Sequence, residues 1–398
     1  MRAFFLSHPR LKRVSVFVLI LLLIGVIILA AGVTLLDVQR HRAAVLPAPT
    51  GSSAVGRMEY DWRDQSQDDP LAPRAGTKRE LVVWSWYPAA QTRNVHFAPY
   101  LPAQWAQASD NQIVQSSDAV QTHSVDQAPL APDAARYPVL IFEPGMGKMP
   151  TQYTTLLEDL ASHGYIIFAI TPTYSSNMVV FPDGRKAEAS SAGNLDNVSN
   201  IQAAGNQLVS VWAKDVIFVM DQLGRLNTTR GNRFSEHLDL TRLGVFGHSF
   251  GGATAAQVCH LDARCKAGID LDGDLFGDSV QTSLKQPFMV IQHDIGACSD
   301  NDCRVFQREI QSTLRTVPQT KRYSLSIKGT EHFNFSDYAA YFSLLHAFGQ
   351  LGSIDGLRGI QITRAYVRAF FDRYLNSISS PLLNAATSTY PEVQFLTS

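Results

Sequence analysis

Hydrophobic runs alternate with polar segments along most of this chain, at lengths typical of strands and helices. Apolar runs predict strands at 80–88, 137–142, 165–170, 243–246, 267–272, 288–292 and 323–327. Helices are predicted at 156–163, 206–223 and 363–374. Because several strands are continuous apolar runs and strands alternate with helices, we expect a mostly parallel sheet with helices on both faces.

The N-terminal region has a different pattern. Residues 14–36 are almost entirely apolar and follow a basic stretch at 1–13. As a helix rising ~1.5 Å per residue, this run would be about 34 Å long, and the hydrocarbon core of a membrane is ~30 Å thick. We therefore expect a cytoplasmic basic segment at 1–13, a transmembrane signal anchor at 14–36 and a polar linker at 37–78.

The same apolar run has a second interpretation, a signal peptide cleaved after residues 30–32, Ala-Ala-Gly. Signal peptides usually have an apolar core of only ~7–15 residues, so we favour the anchor. Both interpretations place the catalytic domain, 79–398, outside the cytoplasm. The first predicts a single-pass membrane protein with an extracytoplasmic domain, and the second predicts a secreted protein.

Composition narrows the function classes. The 398 residues carry a formal net charge of −1, which excludes the basic field of a nucleic-acid-binding protein. Four cysteines form two close pairs, and for an exported domain we expect two disulfides, Cys259–Cys265 and Cys298–Cys303. Their spacing does not match a zinc site, and we predict neither a metal nor a cofactor.

The candidate chemistry centres on residues 247–251, Gly-His-Ser-Phe-Gly, between a predicted strand and a run of small residues. This is the G-x-S-x-G pattern, in which a sharp turn lifts a serine hydroxyl out of the sheet. The helix that follows directs its first N–H groups towards the group that the serine attacks. We predict that Ser249 is a nucleophile; the alternative is a glycine turn that only packs.

A serine nucleophile needs a base, an acid and donors for the oxyanion. His332 lies in a loop after the last predicted strand and is the expected base. For the acid, Asp272 and Asp294 each follow a predicted strand, and the pattern alone does not choose between them. The backbone N–H of Phe250 and that of Met146, in a glycine-rich loop after an earlier strand, are the expected oxyanion donors.

Several stretches resemble the plasma-type platelet-activating-factor acetylhydrolase family of α/β-hydrolases. They occur in the family's order over about residues 80–375 and are 86–89, 161–165, 247–254, 268–273 and 329–337. The resemblance implies an α/β-hydrolase fold for the domain at 79–398. It matches the family's acid to Asp272 rather than Asp294, its histidine to His332 and its first oxyanion loop to 145–147.

The function implied by this resemblance is hydrolysis of carboxylic esters by a Ser-Asp-His triad. The expected substrates are short-chain or oxidised acyl groups of phospholipids, as for a 1-alkyl-2-acetylglycerophosphocholine esterase. The chain has Glu143-Pro144 where mammalian members have a Ser-His pair, so a general carboxylesterase or polyester hydrolase is an alternative. A second alternative is a non-catalytic binding protein on the same fold, in which Ser249 would not react with a fluorophosphonate.

Overall fold

The computed structural model describes residues 17–27, 32, 34, 44–91, 95–108, 119–280, 282, 284–296 and 301–396. The chain divides into two units, 1–43 and 44–398. In the first unit, residues 17–27 are helical and their large apolar side chains are exposed. Much of the predicted anchor, 14–36, and its basic segment lie outside the described residues. None of the described helices is both long and apolar enough to span a membrane.

A ten-stranded mixed sheet forms the centre of the second unit. The described strands of the chain are β1 (Ala44–Val45), β2 (Ala54–Asp68), β3 (Lys78–Ala89), β4 (Val120–Gln121), β5 (Ser124–Asp126), β6 (Tyr137–Glu143), β7 (Ile166–Thr171), β8 (Met178–Val180), β9 (Lys186–Glu188), β10 (Leu238–His248), β11 (Cys265–Leu271), β12 (Phe288–Gln292), β13 (Arg322–Ile327) and β14 (Val393–Phe395). The order across the sheet is β14-β13-β12-β11-β10-β6-β7-β3-β2-β5. The run from β13 to β7 is parallel, whereas β3 pairs antiparallel with both β7 and β2. The predicted α/β fold with a mostly parallel central sheet is confirmed.

Helices cover both faces of this sheet. Those described in the second unit are α1 (Ala103–Ala108), α2 (Thr154–Ser162), α3 (Ile201–Thr228), α4 (Phe250–Leu261), α5 (Asn301–Arg315), α6 (Tyr338–Tyr341) and α7 (Gly356–Leu375). Successive side chains of a strand point to opposite faces. In β6, Leu140 and Phe142 accordingly pack in one core cluster with α2 and α7, while Val139 and Ile141 pack in another with α3 and α4.

The prediction of a linker at 37–78 is wrong for β2, which pairs with β3 along most of its length. The strand is rich in charged residues, and this polar composition suggested a linker. However, Met58, Tyr60 and Trp62 alternate with charged side chains and pack against the core, which is the period-2 pattern of a half-buried strand. The compact unit therefore begins at Ala44, well before the predicted boundary.

The predicted disulfide between Cys259 and Cys265 is present and buried. It joins the last turn of α4 to the first residue of β11. The bridge therefore fixes the connection between the helix that follows Ser249 and the strand that precedes Asp272. The side chains of the second predicted pair, Cys298–Cys303, lie outside the described residues.

Candidate active site

Ser249 lies at the turn between β10 and α4 in a strained backbone conformation. Its φ is 57° and its ψ is −125°, a combination that L residues adopt only when the surrounding structure imposes it. Its N–H donates to Leu271 O at 2.8 Å, and its carbonyl oxygen accepts from Gly252 N at 2.8 Å. The predicted strand-to-helix elbow is therefore the local geometry at this serine.

Glycines around Ser249 are required by close backbone packing. A Cβ atom at Gly247 would lie 2.3 Å from the carbonyl carbon of Gly251, and one at Gly251 would lie 2.2 Å from Glu143 O. A Cβ at Gly252 would lie only 1.7 Å from an oxygen of Asp270. The end of β10, the first turn of α4 and their neighbours Glu143 and Asp270 thus approach one another too closely for a side chain at these positions.

Asp272 and His332 are in direct contact. Asp272 Oδ2 accepts a hydrogen bond from His332 Nδ1 at 2.7 Å. Asp272 directly follows β11, and His332 is the first residue of a short 3-10 helix after β13. The His332 ring lies 4.5 Å, centroid to centroid, from the ring of His248, which precedes Ser249. The structure therefore brings the expected acid and base together and places the base against the residue that precedes the expected nucleophile.

Asp294, the alternative acid, contacts backbone groups instead. Its Oδ2 accepts from Gly329 N at 2.7 Å and its Oδ1 from Gly296 N at 3.1 Å. Its own N–H donates to Thr330 O at 3.2 Å. Asp294 therefore fastens the loop that carries His332 to the end of β12.

A second histidine, His293, for which the sequence pattern predicts no role, contacts Asp272. Its backbone N–H and its ring Nδ1 donate to Asp272 Oδ1 at 2.9 and 2.7 Å. Each carboxylate oxygen of Asp272 thus accepts from a different imidazole. The sequence feature that could have pointed to His293 is its position, because it directly follows β12, the strand that pairs with β11.

The titratable groups of the site differ in charge because their surroundings differ. Burial acts to raise the pKa of Asp272, but hydrogen bonds from His293 and His332, and the charges of both rings, outweigh it and lower this pKa. Burial and the charge of Asp272 raise the pKa of Asp270 well above its ordinary value. The hydrogen bond to Asp272 raises the pKa of His293 against the effect of burial. Asp272 is therefore stabilised as an anion that can in turn stabilise a protonated imidazole, whereas the surroundings of Asp270 favour its protonated form.

The loop after β6 lies against Ser249. A Cβ atom at Gly145 would lie 3.3 Å from Ser249 Cβ. The N–H groups on either side of Met146 hold the loop in place, because Gly145 donates to Tyr153 Oη at 3.1 Å and Gly147 donates to Ser175 O at 2.9 Å. The loop that carries Met146 is thus held in place next to Ser249.

Phe250 supplies the second expected donor. It is the first residue of α4, so its N–H has no acceptor within the helix. Its ring packs against Trp212 and Phe276 at centroid distances of 4.9 and 5.5 Å, and the Met146 side chain packs against the same cluster. Both expected donors are therefore anchored through their own side chains.

One cluster at this site offers metal-ligating atoms. His248, Asp272 and His332 each provide one such atom, all within 4.8 Å of one another. Both ring nitrogens of His248 already have partners, Tyr153 Oη at 2.9 Å and His332 O at 3.0 Å. Burial and the charge of His332 lower the pKa of His248 well below its ordinary value. The cluster therefore fits a hydrogen-bonded network better than a metal centre.

Comparison with known proteins identifies the family. The model of the family described as "Platelet-activating factor acetylhydrolase, isoform II" matches residues 86–202 and 227–379. An Arthroderma benhamiae protein named "Probable 1-alkyl-2-acetylglycerophosphocholine esterase" is 24% identical over 88% of this chain and 94% of its own length. The platelet-activating factor acetylhydrolase of Cavia porcellus is 28% identical, over 60% of this chain and 58% of that protein.

A solved structure gives an independent match over most of the chain. The ferulic acid esterase from Streptomyces cinnamoneus superposes with a TM-score of 0.75 and 30% sequence identity, covering 89% of this chain and 100% of that one. The family match, the relatives and the solved structure all indicate an ester hydrolase. The chain belongs to the platelet-activating factor acetylhydrolase isoform II family, a family of carboxylic ester hydrolases.

Proposed function

We propose that this protein hydrolyses short-chain or oxidised acyl esters of phospholipids through Ser249, His332 and Asp272. The observation that carries the proposal is the 2.7 Å contact between His332 Nδ1 and Asp272 Oδ2, next to a serine on a strained strand-to-helix turn. The family match and the name of the fungal relative support a phospholipid ester as substrate.

In the first half of the reaction, His332 Nε2 takes the proton of the Ser249 hydroxyl, because its Nδ1 is held by Asp272. Ser249 Oγ attacks the ester carbonyl carbon, and the carbonyl oxygen becomes an oxyanion that accepts from the Met146 and Phe250 N–H groups. The protonated His332 then donates its proton to the leaving alkoxide. The products of this half are an alcohol and an acyl group bound to Ser249.

In the second half, water replaces the alcohol. His332 takes a proton from the water, and the hydroxide oxygen attacks the acyl carbonyl carbon. The bond to Ser249 Oγ breaks, the proton returns from His332 to Oγ, and the carboxylic acid leaves. Asp272 stays ionised throughout, since hydrogen bonds from two histidines oppose the effect of burial on its pKa.

The similarity to a ferulic acid esterase favours a second candidate function, a carboxylesterase of broader specificity. The mechanism would be the same, and only the recognised groups would differ. A panel of p-nitrophenyl esters and a 2-acetylthio phosphocholine ester separates the two functions. Preference for the phosphocholine ester supports the first function, and faster cleavage of the simple esters supports the second.

Labelling with a fluorophosphonate tests the nucleophile. We expect the wild-type chain to be labelled and Ser249→Ala to lose both labelling and ester hydrolysis. Ser66→Ala, at an exposed position in β2, is the control and should keep both activities. Retained hydrolysis in Ser249→Ala would refute the assignment, and a wild-type chain that neither labels nor hydrolyses esters would instead support a non-catalytic binding protein.

Membrane attachment is a separate part of the proposal. Residues 14–36 are almost entirely apolar, and within 17–27 the side chains of Phe17, Leu19 and Leu22 are more than half exposed, at 62%, 66% and 64%. We propose that this segment anchors the catalytic unit on the extracytoplasmic side of a membrane. Full-length protein that stays with membranes after alkaline carbonate extraction is the expected result. A shortened soluble form would instead indicate cleavage and secretion.

A further inference from the structure

Lys148 belongs to the active-site loop, but the catalytic triad does not use it. Its N–H donates to Gly145 O at 2.9 Å, which closes a tight turn around Met146. Its carbonyl oxygen accepts from Ser176 Oγ at 2.8 Å. The backbone of Lys148 is thus fixed on the same loop that lies against Ser249.

The Lys148 ammonium group lies over aromatic rings from the other side of the active site. Its Nζ is 4.4 Å from the ring centroid of Phe333 and 5.4 Å from that of Tyr338. Phe333 directly follows His332, and their ring centroids are 5.5 Å apart. The positive charge therefore lies between the loop that provides an oxyanion donor and the loop that provides the base.

Within the described ranges, no carboxylate forms an ion pair with Lys148. Burial lowers the pKa of its amine, and no neighbouring acid opposes this effect. Arg79 shows the usual arrangement, because it is buried between Asp69 and Asp215, with N–O distances of 3.0 and 2.5 Å. A cation removed from water is stabilised by an anionic partner, and aromatic faces replace that partner only in part. Lys148 is therefore a preformed cationic site whose partner can come from outside the chain.

We propose that Lys148 forms an anion subsite, which binds a phosphate or carboxylate oxygen of the substrate while Ser249 attacks the ester. This inference rests on the proposed function. A phospholipid headgroup presents such an oxygen on the alcohol side of the ester, and an oxidised acyl chain presents it as a terminal carboxylate on the acyl side. In both cases the enzyme prefers an ester with an anionic group over a neutral ester of similar size.

Two matched substrate pairs test the subsite with the full-length protein. In the first pair, the p-nitrophenyl monoester of glutaric acid carries a free carboxylate, and p-nitrophenyl valerate is its neutral counterpart. In the second pair, a 2-acetylthio phosphocholine ester is compared with the same thioester lacking the phosphocholine group. We would measure kcat and KM for the wild type, Lys148→Met and Lys148→Arg. Lys285→Met, at an exposed lysine, is the control.

We expect Lys148→Met to lower the anionic-to-neutral ratio of kcat/KM by about tenfold or more in at least one pair, mainly through KM. Lys148→Arg should keep this ratio within about threefold, because it keeps the charge. A fall confined to the glutarate pair assigns the subsite to an acyl carboxylate, and a fall confined to the thioester pair assigns it to phosphate.

Two results would overturn the subsite. One is wild-type kcat/KM for all four esters in Lys148→Met, and the other is an equal fall in kcat/KM for the anionic and neutral esters, which would indicate a structural role. Hydrolysis of the neutral esters by Ser249→Ala would refute the proposed function itself, so the two failures can be told apart.

Discussion

Replacement of Asp272 by asparagine is the sharpest test of the proposed triad. The carboxylate accepts three hydrogen bonds, at 2.9 and 2.7 Å from the backbone and ring of His293 and at 2.7 Å from His332. Asp272→Asn keeps the size of the side chain but removes its charge and turns one acceptor oxygen into an NH₂ donor. The two imidazoles then compete for a single oxygen.

The expected loss of kcat follows from this competition between the two imidazoles. If the amide oxygen stays with His293, the amide nitrogen faces His332 Nδ1 and favours the tautomer in which Nε2 carries the proton. Nε2 then cannot take the proton of Ser249. The same change in the triad of a serine protease lowers kcat by about 10⁴-fold, which corresponds to about 5 kcal/mol of transition-state stabilisation. We expect a loss of that order for Asp272→Asn.

Asp294→Asn is the matched control, because it makes the same chemical change at the alternative acid. Asp294 accepts two side-chain hydrogen bonds, and the amide oxygen of the variant can still accept the shorter one, from Gly329 N. We therefore expect less than about a tenfold loss of kcat. The assay is the initial rate of p-nitrophenyl acetate hydrolysis per mole of purified protein, with circular dichroism as the folding control. The assignment of the acid would be refuted if Asp272→Asn kept more than about a tenth of wild-type kcat, or if Asp294→Asn lost about 10⁴-fold.

Two further variants probe groups near the triad. His293→Ala removes the ring bond to Asp272 Oδ1 but keeps the backbone bond, so we expect kcat to fall about tenfold with little change in KM; unchanged kcat would exclude a positioning role. Burial raises the pKa of Asp337 to about 7, so the folded state retains a proton that the unfolded state releases. This contribution of up to about 4 kcal/mol to the free energy of unfolding is present below about pH 4 and is lost as the pH rises towards 7. Asp337→Asn should therefore flatten the pH dependence of the urea midpoint over that range, and an unaltered dependence would contradict the raised pKa.

The sheet that carries the site could largely be predicted, because its central strands are continuous apolar runs. The predicted strand at 288–292 is β12, Phe288–Gln292. The strand β2 was missed because one of its faces is charged. Composition over the whole segment then masked the alternation of Met58, Tyr60 and Trp62, and only pairing with β3 reveals it as part of the sheet.

Around the candidate site, too, some residues could be predicted from the sequence and others could not. Ser249 and His332 could be proposed from the sequence because a motif marks the first and the end of the last predicted strand marks the second. His293 and Lys148 could not, since their surroundings come from segments that are distant along the chain. The His293 ring meets the carboxylate that follows β11, and the Lys148 ammonium meets Phe333 in the loop after β13. A linear pattern gives the position of a residue but not its contacts.

The choice between Asp272 and Asp294 depends on the backbone rather than on residue type. Ser249 and Asp272 each directly follow a parallel strand, and both have a left-handed φ, 57° and 59°. In each case the N–H continues the sheet ladder, because Ser249 donates to Leu271 O and Asp272 to Ile291 O, both at 2.8 Å. Such a conformation costs on the order of 1–3 kcal/mol per residue and persists only where the surroundings impose it. Asp294 instead donates to Thr330 O in the histidine loop and so lies beyond the ladder. The register of β10, β11 and β12 therefore determines which aspartate meets His332, and a residue pattern alone leaves both as candidates.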